Sequence, residues 1–287
     1  MAKGSKETSN EKSDKKKLNR YLTSIVGLPI VIAVFIFANV IAMDIILAVL
    51  GILMMYEYLH CFKSTGKANP TSWISFLLVA CVAGIHLIPE NIRYQVLFWI
   101  LPIVMLILFV EVIISKGKKN AIDVAVTMFG LIYIPFNLVF ISLLRGTTPE
   151  LIGKIYAGLL FTTSWGSDGP AYIFGMKFGK HKLTPISPKK SVEGAVAGLL
   201  GSVAFSLLFV LLMNIIFNLT IGYVQILIIS IILGIIGQVG DIAASSIKRY
   251  CGIKDFSQLL PGHGGLLDRI DSLIFIAPFA YMLLTMI

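Results

Sequence analysis

Long apolar stretches separated by short polar turns run through almost the whole chain. A bilayer crossing takes about 20 apolar residues. By that measure nine spans are predicted, at 22–38, 42–62, 72–89, 94–115, 122–144, 151–174, 192–217, 221–248 and 266–287. The turns between them are rich in Gly, Pro, Lys and Asn, which end helices and meet water. The first two spans are divided only weakly, by Ala38, Asn39 and Asp44. The predicted fold is an all-α integral membrane protein, a polytopic bundle of about nine transmembrane helices around a polar cavity facing the cytoplasm.

Composition agrees with this pattern. Hydrophobic residues make up 57% of the 287 positions and charged residues 14%, which excludes an ordinary soluble domain. A net charge of +9 would suit nucleic acid, but seven of the basic residues, Lys3 to Arg20, lie in one polar tail. Residues 1–20 therefore read as a disordered cytoplasmic tail drawn to anionic headgroups, with no nucleic-acid partner expected. The apolar run from Leu22 carries no convincing small-residue cleavage site, so the tail is expected to stay attached. Cys61, Cys81 and Cys251 have no metal-ligand spacing and read as reduced packing residues.

Placing the N-terminus in the cytoplasm puts 21 Lys and Arg residues on the cytoplasmic side and leaves Arg93, Arg145 and Lys154 outside. This asymmetry supports both the count and the orientation. It also brings two polar segments, 175–191 and the stretch around His263, to the face where nucleotides are available. The chain divides into the tail (1–20), an N-terminal transmembrane region (21–150) and a C-terminal catalytic transmembrane region (151–287).

Ionisable residues at the edge of a bilayer span pair, bind ions or do chemistry. Asp168 is expected near the cytoplasmic end of the sixth span, beside a Gly169-Pro170 break that frees backbone groups. Lys189 and Lys190, after Ser187-Pro188, adjoin the start of the seventh span, where ammonium groups and a helix N-terminus together suit an anion. In the eighth span Gln238, Asp241, Ser245 and Lys248 recur at intervals of three and four and share one helical face. Asp241 and Lys248 lie too far apart to neutralise each other, so a further partner is needed, and Asp268 or Asp271 can supply it. Convergence of Asp168, Asp241, Asp268 and Asp271 would give an oxygen-rich site suited to Mg²⁺, with room for a second cation. Gly264 and Gly265 would let backbone N–H groups approach an anion, and His263 could donate to a phosphate. Two carboxylates in the first turn of the last span would equally serve as helix-dipole complements. Asp44, Glu57, Glu111 and Asp123 would line a lipid entrance or pair with loop lysines.

At these residues the chain resembles the phosphatidate cytidylyltransferases, or CDP-diacylglycerol synthases. The run Ser245-x2-Lys248-Arg249-x4-Lys254-Asp255-x5-Pro261-x-His263-Gly264-Gly265-x2-Asp268-Arg269-x-Asp271 follows that family's long C-terminal pattern. Gly240-Asp241, Ser187-Pro188-Lys189-Lys190, Glu193-Gly194, and Asp168 with Ala171-Tyr172 extend it upstream; before residue 150 only the apolar pattern and Glu57 correspond. Gly169-Pro170 and Ala244 depart from it, at positions where the family usually has a small hydroxyl residue with glycine and an acidic residue.

The resemblance implies a Mg²⁺-dependent enzyme of a bacterial inner membrane, transferring CMP from CTP to phosphatidic acid and forming a homodimer. It assigns the metal to Asp168, Asp241, Asp268 and Asp271. Phosphate oxygens would fall to Lys189, Lys190, Lys248 and Arg249, with Ser187, His263, Gly264 and Gly265 around the nucleotide. Two alternatives differ in their signatures. A CDP-alcohol phosphotransferase needs repeated Asp-x-x-Asp on a single segment, which is absent. A cation- or proton-coupled transporter needs paired broken helices in corresponding halves, and here the charges crowd one face instead.

Overall fold

The computed structural model describes residues 33–34, 37–259 and 264–286. The basic tail, most of the first predicted span, and residues 260–263 with His263 lie outside these. Among the described residues the chain is helical without strands. Helix α1 (Val40–Ser64) starts where the Asn39 side chain accepts the Ala42 amide at 2.8 Å. The third predicted span is shorter than expected: ten residues of α2 (Ser72–Cys81) tighten into a six-residue 3₁₀ turn, Val82–Leu87. Helix α3 (Glu90–Ile114) buries Val104 and Leu108 and turns large apolar side chains such as Phe98, Leu106 and Ile113 outward. In water such a surface would be untenable; in lipid it is the expected one.

Helices α4 (Ala121–Leu131) and α5 (Asn137–Arg145) are joined by a π-helical turn, Ile132–Phe136, so that 121–145 forms one continuous crossing. Pro135 lies in that turn and has no N–H for the regular ladder, which the wider turn accommodates. An Asn120–Asp123 capping box starts α4. The remaining helices are α6 (Glu150–Phe178), α7 (Val192–Phe217), α8 (Tyr223–Tyr250) and α9 (Leu267–Leu284). Among the described residues five segments are long and apolar enough to cross a membrane: 40–64, 90–114, 121–145, 192–217 and 223–250. The chain is a helical membrane protein.

The most extensive packing joins α6 to α7. Close approach rather than apolar burial drives association within lipid, so small residues mark the contact. Gly201 shows why. A Cβ there would lie 2.5 Å from the Gly166 carbonyl oxygen and 2.5 Å from Pro170 Cγ. The expected break at Gly169-Pro170 does not occur: α6 continues through Pro170 to Phe178. Pro170 removes the amide that would bond the Gly166 carbonyl, and the bare backbone of Gly201 packs against that carbonyl instead.

Candidate active site

A cavity of about 260 Å³ opens between α6, α7, α8 and the loop joining α6 to α7. Its polar lining includes Ser167 and Asp168 from α6, Lys189 and Lys190 from the loop, and Gln238 and Asp241 from α8. The loop is held as a small hairpin. Lys182 bridges Ser191, the Leu183 amide donates to the Lys190 carbonyl at 3.0 Å, and the Val192 amide donates to His181 at 2.9 Å. Ser191 caps α7 by accepting the Gly194 amide at 3.1 Å, and Glu193 receives His181 Nδ1 at 2.7 Å. These contacts turn the loop back over the cavity, and the Lys190 ammonium forms an ion pair with the Asp241 carboxylate. Gln238 anchors α8 to α7 by donating to the Ala195 carbonyl at 2.8 Å.

A second polar group joins α8 to α9. Lys248 donates to Asp268 Oδ1 at 2.5 Å, and both side chains are almost fully buried. Asp268 Oδ2 accepts the amides of Phe256 at 2.8 Å and Gly265 at 3.1 Å. The third partner that Lys248 required is therefore Asp268. Such a pair is stable because each oxygen has a donor; removing one partner would strand a buried charge. Asp271, one turn further along α9, is buried, and its Oδ1 accepts the Ser272 amide at 2.7 Å. It lies within electrostatic reach of Asp241, Lys248 and Asp168, and so links the two groups.

The predicted residues thus separate. Asp168, Lys189, Lys190 and Asp241 share the cavity lining, whereas Lys248 and Asp268 form their own buried pair outside it. Asp268, expected among four converging carboxylates, has both oxygens engaged by an ammonium and two amides, and this sets it apart from the cavity group. Arg249 is exposed at the end of α8 and donates to the Ile253 carbonyl at 3.0 Å. Ser187 contributes its carbonyl to the Lys190 amide at 3.0 Å and is not part of the lining. Gly264 takes φ +85°, a conformation open to glycine, and Gly265 packs against Asp268 and Glu57.

Two residues from the N-terminal half belong to this region. Glu57 neither lines a lipid entrance nor meets a lysine. Its carboxylate receives Ser257 Oγ at 2.5 Å and the amides of Leu266 at 2.9 Å and Leu267 at 2.8 Å, which caps α9. The Tyr56-Glu57-Tyr58 run drew attention to it, but its partners are about 200 positions away. Tyr133, in the π turn, gave no signal in the sequence. The other isolated acids find local partners: Glu111 pairs with Lys119 at 2.7 Å, Asp123 belongs to the α4 capping box, and Asp44 meets His86 at 2.8 Å. Cys61 and Cys251 are buried free thiols, as a packing role requires.

A divalent cation fits the donors of the cavity. Asp168 and Asp241 line the same space and repel each other, and both act on Asp271. Mg²⁺ asks for one or two carboxylates and takes its other ligands from water and substrate phosphates. Among the described residues no three acidic, histidine or cysteine side chains gather into a complete metal cage.

Helices with an apolar exterior, enclosing carboxylates and lysines near their ends, define a membrane protein that handles phosphorylated compounds. The chain belongs to the cytidylyltransferase family, whose sequence model matches residues 18–287. It is 34% identical over 245 residues to a phosphatidate cytidylyltransferase of Staphylococcus saprophyticus, covering 82% of this chain and 91% of that protein. Proteins of the same description from Staphylococcus haemolyticus and Staphylococcus aureus are 38% identical over 179 residues and 36% over 173. Those alignments cover 62% and 60% of this chain, and 65% and 63% of the two relatives.

Proposed function

We propose that this chain transfers CMP from CTP to phosphatidic acid, forming CDP-diacylglycerol and pyrophosphate in phospholipid synthesis. The observation that carries the chemistry is the Lys190–Asp241 ion pair across a cavity shared with Asp168 and Lys189. An oxygen of the lipid phosphate attacks the α-phosphorus of CTP as the bond to pyrophosphate breaks. Both reactants are anions, so the site must neutralise charge and hold the two in line. Lys189 and Lys190 serve the phosphate oxygens. When phosphates take up the Lys190 ammonium, the Asp241 carboxylate loses its ion-pair partner and would be free to help hold a cation.

Mg²⁺ would be held by Asp168 and Asp241, with Asp271 beside them, and when bound it offsets the triphosphate charge. The Lys248–Asp268 pair fixes the start of α9 and hence the position of Asp271. A phosphomonoester has its second pKa at roughly 6, so the attacking phosphate is already ionised near neutral pH and needs no general base. Acyl chains can remain in the bilayer while the headgroup enters the cavity.

The charge asymmetry of the loops supports a nine-span arrangement with the cavity on the cytoplasmic side of a bacterial cytoplasmic membrane. Family resemblance is the support for a homodimer.

The test uses full-length protein in detergent with labelled CTP, phosphatidic acid and Mg²⁺. CDP-diacylglycerol and pyrophosphate should form in equal amounts, and Asp241→Asn should lower the rate by roughly 100-fold or more without lowering the melting temperature. No product from the folded wild-type chain supplied with lipid and metal would refute the reading.

A further inference from the structure

Tyr133 is 3% exposed, and its hydroxyl has no hydrogen-bond partner. A buried O–H with nothing to bond is costly, and phenylalanine would fill the same space without that cost. The local structure nevertheless directs this side chain inward. Tyr133 lies in the π turn Ile132–Phe136, where the helix widens in the middle of an otherwise regular crossing, and such turns are frequent at functional sites. Its ring is clamped by Phe129, with centroids 5.8 Å apart, and by Phe275 of α9 at 6.4 Å and 63°. Its carbonyl accepts Asn137 Nδ2 at 3.0 Å, which secures the turn from the other side.

The neighbourhood is that of the acidic residues. Phe275 is four residues after Asp271, so the two share one face of α9. Gly240, next to Asp241, lets α8 approach that face closely: a Cβ there would lie 2.6 Å from Phe275 Cβ. The charges acting on the Tyr133 hydroxyl are, in order, Asp271, Asp241 and Asp268. An unpartnered donor therefore sits on a ring packed against Phe275, one helical turn from Asp271 and within electrostatic reach of its carboxylate.

We infer that Tyr133 is a positioning residue for the transfer site, its buried hydroxyl donating to the Asp271 carboxylate once nucleotide and phosphatidate occupy the cavity. This rests on the transferase reading above. The hydroxyl acts through Asp271, holding that carboxylate in one orientation as charge around it rearranges. The loaded site supplies the O–H with its acceptor.

The experiment compares full-length wild type with Tyr133→Phe in detergent. The substitution removes one oxygen and keeps the ring between Phe129 and Phe275. The expected result is a fall in kcat of about fivefold or more, KM for CTP within about twofold, and a melting temperature equal to or above that of wild type. A purely structural hydroxyl would leave kcat unchanged, and that result would overturn the inference.

A second measurement uses the wild-type chain labelled with ¹³Cζ-tyrosine and followed by NMR as CTP, Mg²⁺ and phosphatidic acid are added. The Tyr133 resonance, identified by its loss in Tyr133→Phe or by its ring-current shift in Phe275→Leu, should move on ligand addition. A resonance that stays in place would overturn the inference even if the phenylalanine variant failed to fold. Inactivity of the wild-type chain would refute the transferase reading alone, and the NMR response would then decide the role of the hydroxyl.

Discussion

Replacing Glu57 by alanine tests whether the N-terminal half of the chain holds the start of the last helix. The carboxylate accepts three hydrogen bonds, two of them from the Leu266 and Leu267 amides that begin α9. Those amides are among the donors at a helix start that have no partner within the helix. Loss of a helix cap costs about 1–2 kcal/mol. Leaving a buried donor unsatisfied costs about 1–3 kcal/mol. The two costs overlap, because they describe the same amides, so Glu57→Ala should destabilise by about 2–4 kcal/mol. For a chain of this size that corresponds to a fall in melting temperature of roughly 5–10 °C. Glu57→Gln keeps the shape and one acceptor oxygen but turns an N–H₂ group towards a donor, so it should fall between the two. Thermal unfolding in one detergent, followed by the transfer assay below the melting range, measures both effects. Activity should fall in both variants, since Asp268 and Asp271 lie in the first turns of α9. A Glu57→Ala variant melting within about 1 °C of wild type would show that the cap contributes nothing and would refute the reasoning.

Two further predictions concern packing and charge. Lys248→Met should destabilise by about 3–5 kcal/mol because it strands the Asp268 carboxylate in a buried site. Adding Asp268→Asn should recover part of that loss, since the amide oxygen still serves the amides of Phe256 or Gly265; additive losses in urea unfolding would contradict the pairing. Gly201→Ala should lower the melting temperature: its methyl group meets the Gly166 carbonyl and Pro170, costing about 1–3 kcal/mol against a gain in helix propensity of about 1 kcal/mol. A rise would show that α6 and α7 separate freely.

Much of the site could be read along the chain because its residues recur at helical spacing. Gln238 and Asp241 do share one face of α8 and one cavity, and Lys189 and Lys190 do adjoin a capped helix start. The reading was less sound where it inferred direction from proximity. Asp268 and Asp271 lie three residues apart on α9, yet Asp268 is held in a cage of donors whereas Asp271 accepts the Ser272 amide. Pro170 was read as a break because the rule for an isolated helix says so. Gly201 of the adjacent helix α7 packs closely against the Gly166 carbonyl and Pro170, and α6 continues through the proline. Tyr133 gave no signal at all, since a tyrosine in an apolar run is indistinguishable from a packing aromatic.

The sequence by itself determined that the chain is helical, that it belongs in a membrane, and that its polar chemistry lies towards the C-terminus. Those properties depend on the length, apolarity and spacing of each segment alone, and the long charged pattern from Ser245 to Asp271 is continuous in the chain. Only the tertiary structure decided that Lys190 meets Asp241, that Glu57 caps α9 and that the Tyr133 ring packs on Phe275 from a π turn. Each of these partnerships joins different helices, and the choice among many available donors and acceptors is made when the helices pack, by whichever arrangement leaves the fewest buried groups without a partner.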